Sequence, residues 1–402
     1  MRDKANIAIW KDTPFRMLFM GSFFCALAGK IYELAMPLLI FDITHSSEIM
    51  GWIRAVEYLP YLLLAVIMGV WIDRVDRKRW SQWMIAGQIV CLIGGWWAVQ
   101  FLTQPMWVLF PCAFLMMTGN FGYLNARMGM VKHILPASQQ GLVTSALGTL
   151  NSLFQALGPL VSGILLLFSH FDIVLLLIAL PLFISWLLLN KVPNQSVATA
   201  TCISLVDDIR KGWRILRDNT ILLQMSLAIS VFNMCSMVFV IQSMYVARAI
   251  FSFDAFHIGL MVSAGGIGGL LGASVVNILR HKLGMGYAFA MSIIVQSLCY
   301  LFILLNKNGM AMGLAFFWNG FFETSIGILV YTWRQESVAV DNLGKVMGIT
   351  GTLFKLAAPF GLALSGYVMV LLNIDWLFFS CFLLQIMVGC ILLFNPLMRT
   401  CR

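Results

Sequence analysis

Six ionisable side chains lie inside stretches that are otherwise almost wholly apolar: Lys30, Glu33, Arg54, Glu57, Glu323 and Lys355. Lys30 and Glu33 are three residues apart, as are Arg54 and Glu57, a spacing that places each pair on one face of a helix. A charge at the centre of a bilayer costs at least about 2.5 to 3.5 kcal/mol on insertion scales, so these groups are expected to face a water-filled cavity or a partner and not lipid. Two kinds of chemistry are open to them. A carboxylate can take a proton from one side of a membrane and release it on the other, and protonation loosens its hold on a cation or a neighbouring helix. Alternatively, Glu33 with Arg54 and Glu323 with Lys355 are permanent ion pairs that lock helices together. The cations Lys30, Arg54 and Lys355 suit a ligand with carboxylate or other anionic groups better than a lipophilic cation. Polar Asn120, Asn125, Asn151, Gln155, Asn233, Gln242 and Asn319 can hydrogen-bond a ligand or join helices, and Trp318 and Tyr331 can wall a cavity or simply pack.

The elements that must position these groups are membrane spans. The chain is 60% hydrophobic and only 11% charged, whereas soluble domains are about 45 to 50% apolar and about 25% charged. Twelve spans are expected near residues 15–42, 48–72, 80–101, 106–130, 141–168, 173–190, 220–248, 257–279, 287–305, 311–333, 346–371 and 375–395. With the N-terminus cytoplasmic, the cytoplasmic segments hold 21 of the 26 Lys and Arg. Only Arg248 and Lys307 fall on the other side. That asymmetry predicts both termini inside, and it assigns the net charge of +9 to membrane topology and not to nucleic acid. Met1 to Pro14 is polar, and the first apolar run has the length of a full span, so no cleavable leader is expected.

The longest polar stretch divides the chain near its midpoint. Within it Ile203, Val206, Ile209, Trp213 and Leu216 recur at helical spacing opposite Asp207, Asp208, Arg210, Lys211, Arg214 and Arg217, which predicts a helix lying along the cytoplasmic surface. The expected organisation is a six-helix bundle over 1–190, a linker over 191–219 and a second bundle over 220–402. A shift of 203 residues supports a duplication: it aligns Gly69 with Gly272, Arg77 with Arg280, Gly148-Thr149-Leu150 with Gly351-Thr352-Leu353, and Ser162-Gly163 with Ser365-Gly366.

Between the second and third spans runs Gly69-Val70-Trp71-Ile72-Asp73-Arg74-Val75-Asp76-Arg77-Lys78-Arg79. It resembles the signature loop between helices 2 and 3 of the major facilitator superfamily, with Asp76 where many members have Gly. Phe15-Arg16, Ala35-Met36-Pro37-Leu38-Leu39, Leu59-Pro60 and Arg334-Gln335 followed by Gly344-Lys345-Val346 are similar to the branch of enterobactin exporters and macrolide efflux proteins. The resemblance implies an all-α membrane protein of twelve helices in two pseudo-symmetric bundles, with the substrate site between the halves near the midplane. It also implies a cytoplasmic gate of Gly69, Asp73, Arg74 and Arg77, in which Asp73 meets the N-terminal end of span 11 and Arg77 an acceptor on a neighbouring helix. Gly158-Pro159 with Gly163 in span 5 resembles the antiporter motif of the superfamily, although Leu153 stands where a further glycine is expected. Many members of the branch have Gly-Asp in span 1, where this chain has Gly29-Lys30.

Siderophore exporters occur in this branch, and a multi-carboxylate siderophore fits three cations better than an amine-bearing macrolide does. The resulting expectation is a proton-coupled exporter of a small anionic or zwitterionic molecule, monomeric, in the bacterial inner membrane. Its substrate and proton cavity is assigned to Lys30, Glu33, Arg54, Glu57, Asn151, Gln155, Asn319, Glu323 and Lys355. Multidrug or macrolide efflux, import, or a non-transporting receptor are the alternatives. There is no phosphate-binding Gly-rich loop followed by Lys-Ser/Thr, and the five His and nine Cys show no metal spacing. No enzyme activity, cofactor, metal or nucleic-acid partner is therefore expected.

Overall fold

The computed structural model describes residues 10–64, 68, 72, 75–134, 136–167, 173–193 and 205–399. Gly69, Asp73 and Arg74 of the charged turn, and Ile203 of the linker, lie outside the described residues. Among the described residues every long element is a helix. In chain order these are α1 (Thr13–Thr44), α2 (Ser47–Leu63), α3 (Arg77–Phe101), α4 (Met106–Ile134), α5 (Ala137–Leu167), α6 (Val174–Leu189), α7 (Leu205–Asp218) and α8 (Thr220–Ala249). There follow α9 (Ala255–Leu283), α10 (Met285–Leu305), α11 (Gly309–Ser337), α12 (Val340–Leu356), α13 (Ala358–Leu372), α14 (Ile374–Phe394) and the short α15 (Pro396–Arg399). Ten candidate spans among the described residues are long and apolar enough to cross a membrane, with α12 and α13 forming parts of one. The apolar α6, shorter than these, falls within the predicted sixth span, and α2 begins the predicted second span.

The helix ends follow from local chemistry. Asp76, the residue that departs from the superfamily loop, is the N-cap of α3, and its carboxylate accepts from the backbone N–H groups of Lys78 and Arg79. Asn219, Asp254, Asn308 and Asn373 cap α8, α9, α11 and α14 in the same way, each such cap contributing about 1 kcal/mol.

The eleventh predicted span, 346–371, is present as one candidate span over Asn342–Leu372. It breaks at Ala357, and Pro359 is the cause. Proline has no N–H to offer the Lys355 carbonyl four residues back, and its ring clashes there. The freed backbone is satisfied by α8: the Asn233 amide donates to the Phe354 carbonyl at 2.9 Å, and the Ala357 N–H donates to Ser230 Oγ at 3.3 Å.

The helices form two compact units. The first comprises Met1–Met36 and Val56–Thr201. Within it α3 packs on α4, and Ser185 of α6 donates to the Gly21 carbonyl of α1 at 2.9 Å.

The second unit comprises Pro37–Ala55 and Cys202–Arg402. Here α9 and α11 approach so closely that Gly268 and Gly272 have no room for a Cβ beside the Phe317 and Phe321 carbonyls, nor Gly320 beside that of Gly265. Small residues at such contacts are how membrane helices gain packing energy, since lipid supplies no hydrophobic drive between them. Arg248 at the end of α8 makes a two-pronged ion pair with Asp42 at the end of α1, at 3.1 and 3.2 Å, and also donates to the Phe253 carbonyl. Gly51 of α2 lies against the Leu362 carbonyl of α13.

Candidate functional site

In the first unit, Lys30 and Glu33 share a face of α1, as their spacing predicts, and there they form an ion pair with each other. Lys30 owes its position to α5. Its aliphatic stem lies on Gly158, where an added Cβ would come within 2.7 Å of Lys30 Cγ. The glycine of the antiporter-like motif therefore makes room for the lysine that distinguishes span 1. Pro159 and Gly163 are buried beside it. Asn151 and Gln155 are exposed on α5, seven and three residues before Gly158, on the same face.

Glu57 is the most enclosed of the six charged groups, at 0% exposure, and Arg54 on the same helix is buried too. The Tyr32 hydroxyl donates to Glu57 Oε1 at 2.7 Å, a bond of ordinary O–H···O length. Tyr32 and Glu33 also line a small cavity of about 30 Å³ with Gln88, Asn120 and Tyr123. That is room for a water or two among polar groups able to hold it. Asn120 further hydrogen-bonds Tyr61.

The second unit holds a denser polar cluster. The Gln296 amide of α10 donates to Asn319 Oδ1 of α11 at 2.7 Å. Asn319 Nδ2 donates to Glu323 Oε2 at 3.3 Å and to Ser236 Oγ of α8 at 3.0 Å, and Ser236 donates to the same carboxylate oxygen at 3.2 Å. Tyr300 receives amide N–H groups from Gln296 and from Gln385 of α14. Asn319 is buried, whereas Glu323 is half-buried. Ser236 of α8 and Asn319 of α11 thus reach the carboxylate directly, and α10 and α14 join the same network through Gln296, Tyr300 and Gln385.

Lys355 stands at the helix break, in the last turn of α12. The first turn of α13 begins three residues later, so an ammonium and a helix N-terminus share the discontinuity. The ammonium and the α13 N-terminus each favour negative charge, while the C-terminal end of α12 carries the opposite partial charge.

Several expected polar groups serve structure. Asn125 bonds its own helix at the Phe121 carbonyl, Gln242 joins α8 to Ser365 of α13, and the Trp318 indole joins α11 to the Val295 carbonyl of α10. Tyr331 lies under the Arg334 guanidinium, 4.9 Å from ring centroid to Cζ. Of the charged turn, Arg77 is described: its side chain covers Gly129 of α4. Arg280, its partner in the duplication, reaches Glu336 of α11 with bonds of 2.7 and 2.8 Å. Tyr32, Ser236, Gln296, Tyr300 and Gln385 escaped the sequence reading, because neutral polar residues are common in membrane helices and only a nearby carboxylate makes them informative. Among the described residues no three His, Cys, Asp or Glu side chains cluster so as to hold a metal.

Membrane-length helices that carry enclosed carboxylates and cations define a multi-pass membrane protein. The chain belongs to the Major Facilitator Superfamily, whose model matches residues 18–362. It is similar to macrolide efflux protein A of Streptococcus pyogenes, at 20% identity over 374 residues and 89% of each chain. Among solved structures it is similar to a bacterial homologue of the iron transporter ferroportin in an inward-facing state, with TM-score 0.74 at 14% identity, covering 94% of this chain and 97% of that one. It is also similar to a D-xylose-proton symporter, with TM-score 0.72 at 13% identity and coverages of 96% and 97%. At such identities the structural likeness shows the twelve-helix fold. The protein is a secondary transporter of small molecules.

Proposed function

We propose that this transporter is a proton-coupled exporter of a small anionic or zwitterionic organic molecule, with a multi-carboxylate siderophore as the first candidate. The observation that carries the substrate class is Lys355 at the break in span 11. Discontinuous helices mark binding sites in transporters because their ends present unpaired backbone dipoles. Here a cation adjoins the positive end of α13, which suits a carboxylate. Lys30, held on Gly158 beside the face bearing Asn151 and Gln155, supports the same preference in the first unit.

Glu323 exchanges the proton. It is half-buried and held by the Ser236 hydroxyl and the Asn319 amide, groups that can hydrogen-bond the carboxyl with or without its proton. Both termini lie in the cytoplasm of a bacterial inner membrane, and the chain works as a monomer with 1–190 and 220–402 as its bundles. Gly69, Asp73, Arg74 and Arg77 form the cytoplasmic gate, a role supported by Arg77 lying across Gly129.

Counterflow in proteoliposomes tests the reading. Vesicles loaded with an unlabelled citrate-type siderophore are expected to accumulate labelled compound from outside, and a non-transporting receptor would bind without accumulation. Anionic competitors are expected to block the flux at concentrations about tenfold below those of amine-bearing macrolides, a difference of about 1.4 kcal/mol. The opposite order would favour macrolide efflux, the second reading, which the similarity to macrolide efflux protein A supports.

A further inference from the structure

The linker helix α7 is divided into three sectors. At about 100° per residue, Gly212, Ile215 and Leu216 fall on one side. Leu216 is fully buried and Gly212 lies against α12, where an added Cβ would meet Ile349 Cδ1 at 2.8 Å and Lys345 Cβ at 3.2 Å. Leu216 joins a small apolar core with Leu222, Val338 and Val346. The sequence pattern placed Ile209 and Trp213 on the same apolar face as Leu216, yet they are 41% and 46% exposed. They occupy the adjacent sector, one turn apart. The remaining circumference carries Arg210, Lys211, Arg214 and Arg217, all exposed, and Asp218 is exposed among them, while Asp207 and Asp208 stand in the first turn of the same helix.

One residue, Asn219, separates α7 from the membrane span α8, and its side chain caps that span. The C-terminal end of α7 therefore sits where the chain enters the bilayer. A helix at that level with one apolar strip, a flanking indole and a run of cations has the pattern of a surface helix whose apolar side dips among acyl chains while its charges meet headgroups. Water would leave Ile209 and Trp213 uncovered, and a zwitterionic surface would leave the cations without complement.

We infer that α7 is a docking surface for anionic phospholipid, with Ile209 and Trp213 entering the headgroup boundary and Arg210, Lys211, Arg214 and Arg217 binding the phosphates. The opposite side of the helix stays on α12. The occupant is the lipid of the surrounding bilayer and not a soluble anion, because the apolar strip is contiguous with the cations.

The full chain reconstituted in vesicles provides the test, with the fluorescence of Trp213 isolated as the difference between the protein and Trp213→Phe. Brominated phosphatidylglycerol is expected to quench that difference about threefold more than brominated phosphatidylcholine. Replacing Arg210, Lys211, Arg214 and Arg217 together by Gln is expected to equalise the two lipids, and replacing the three arginines by Lys to preserve the preference. Absence of quenching by either lipid would overturn the inference by placing α7 clear of the bilayer. So would equal quenching of the unaltered protein, a preference that survives the four Gln substitutions, or a preference abolished by soluble glycerol phosphate.

Discussion

Glu57 and Glu323 are both carboxylates inside apolar helices, and they are held in opposite ways. Glu57 is fully enclosed and receives a phenolic hydrogen bond from Tyr32. Glu323 is half-buried and rests on two longer bonds from Ser236 and Asn319. A group that must meet water on each transport cycle needs partners it can leave at little cost, whereas a group that fixes two helices needs the reverse. The contrast is the basis for proposing Glu57 as an anchor of α1 on α2, and Glu323 as the exchanging group.

The largest expected effect is on transport. Glu323→Gln should lower gradient-driven substrate flux by about 100-fold or more, the scale of a lost proton-transfer group. Glu57→Gln should lower it by less than about tenfold, because the amide still accepts from Tyr32. Initial rates in proteoliposomes at matched protein density check both, and a reversed order would break the comparison. Next comes stability. Tyr32→Phe leaves an enclosed carboxylate without its hydroxyl donor and should destabilise the protein by about 1.5 to 3 kcal/mol, whereas Ser236→Ala should remove about 1 kcal/mol. Thermal unfolding in detergent reads the difference, and equal losses would remove the distinction between anchor and exchanger.

Lys355→Ala should raise KM for an anionic substrate about tenfold, or about 1.4 kcal/mol, and leave a cationic one little changed. Lys30→Ala should act in the same direction. Equal losses on anionic and cationic substrates would remove the charge argument.

The smallest effect concerns a carboxylate with no span around it. Asp254 caps α9 by accepting from the His257 backbone and ring at 2.8 and 2.7 Å. Desolvation raises its pKa, but the hydrogen bonds from His257 outweigh it and hold the group below the ordinary carboxylate value. Because the folded value is the lower one, this contribution is fully present above the ordinary value and is lost as pH falls through the folded value. Asp254→Ala should cost about 1 kcal/mol at neutral pH and flatten the acid limb of a stability-against-pH curve, while Asp254→Asn should flatten the limb and keep most of the cap.

The spans and the charges within them were legible because each rests on composition and spacing alone. Lys30 with Glu33 needed only the helical repeat. The partners of those charges were not legible: Tyr32 is adjacent to Glu33 in sequence but binds Glu57 on another helix, and the Ser236, Asn319 and Gln296 cluster draws on three helices. The break at Ala357 was hidden because proline is common in membrane helices without interrupting them, as Pro159 does not interrupt α5. What distinguishes Pro359 is the pair Ser230 and Asn233 on α8, ready to take up the freed backbone. Asp76, read in sequence as a departure from a family pattern, has a local reason as the cap of α3.

Proton movement itself is the most direct test of Glu323 as the exchanging group. With a pH-sensitive dye sealed inside proteoliposomes, substrate added to one side should shift the internal pH for the unaltered protein. For Glu323→Gln it should leave the pH flat while labelled substrate still equilibrates by counterflow. A Glu323→Gln protein that moves protons with its substrate, or an unaltered protein that moves substrate with none, would contradict the assignment.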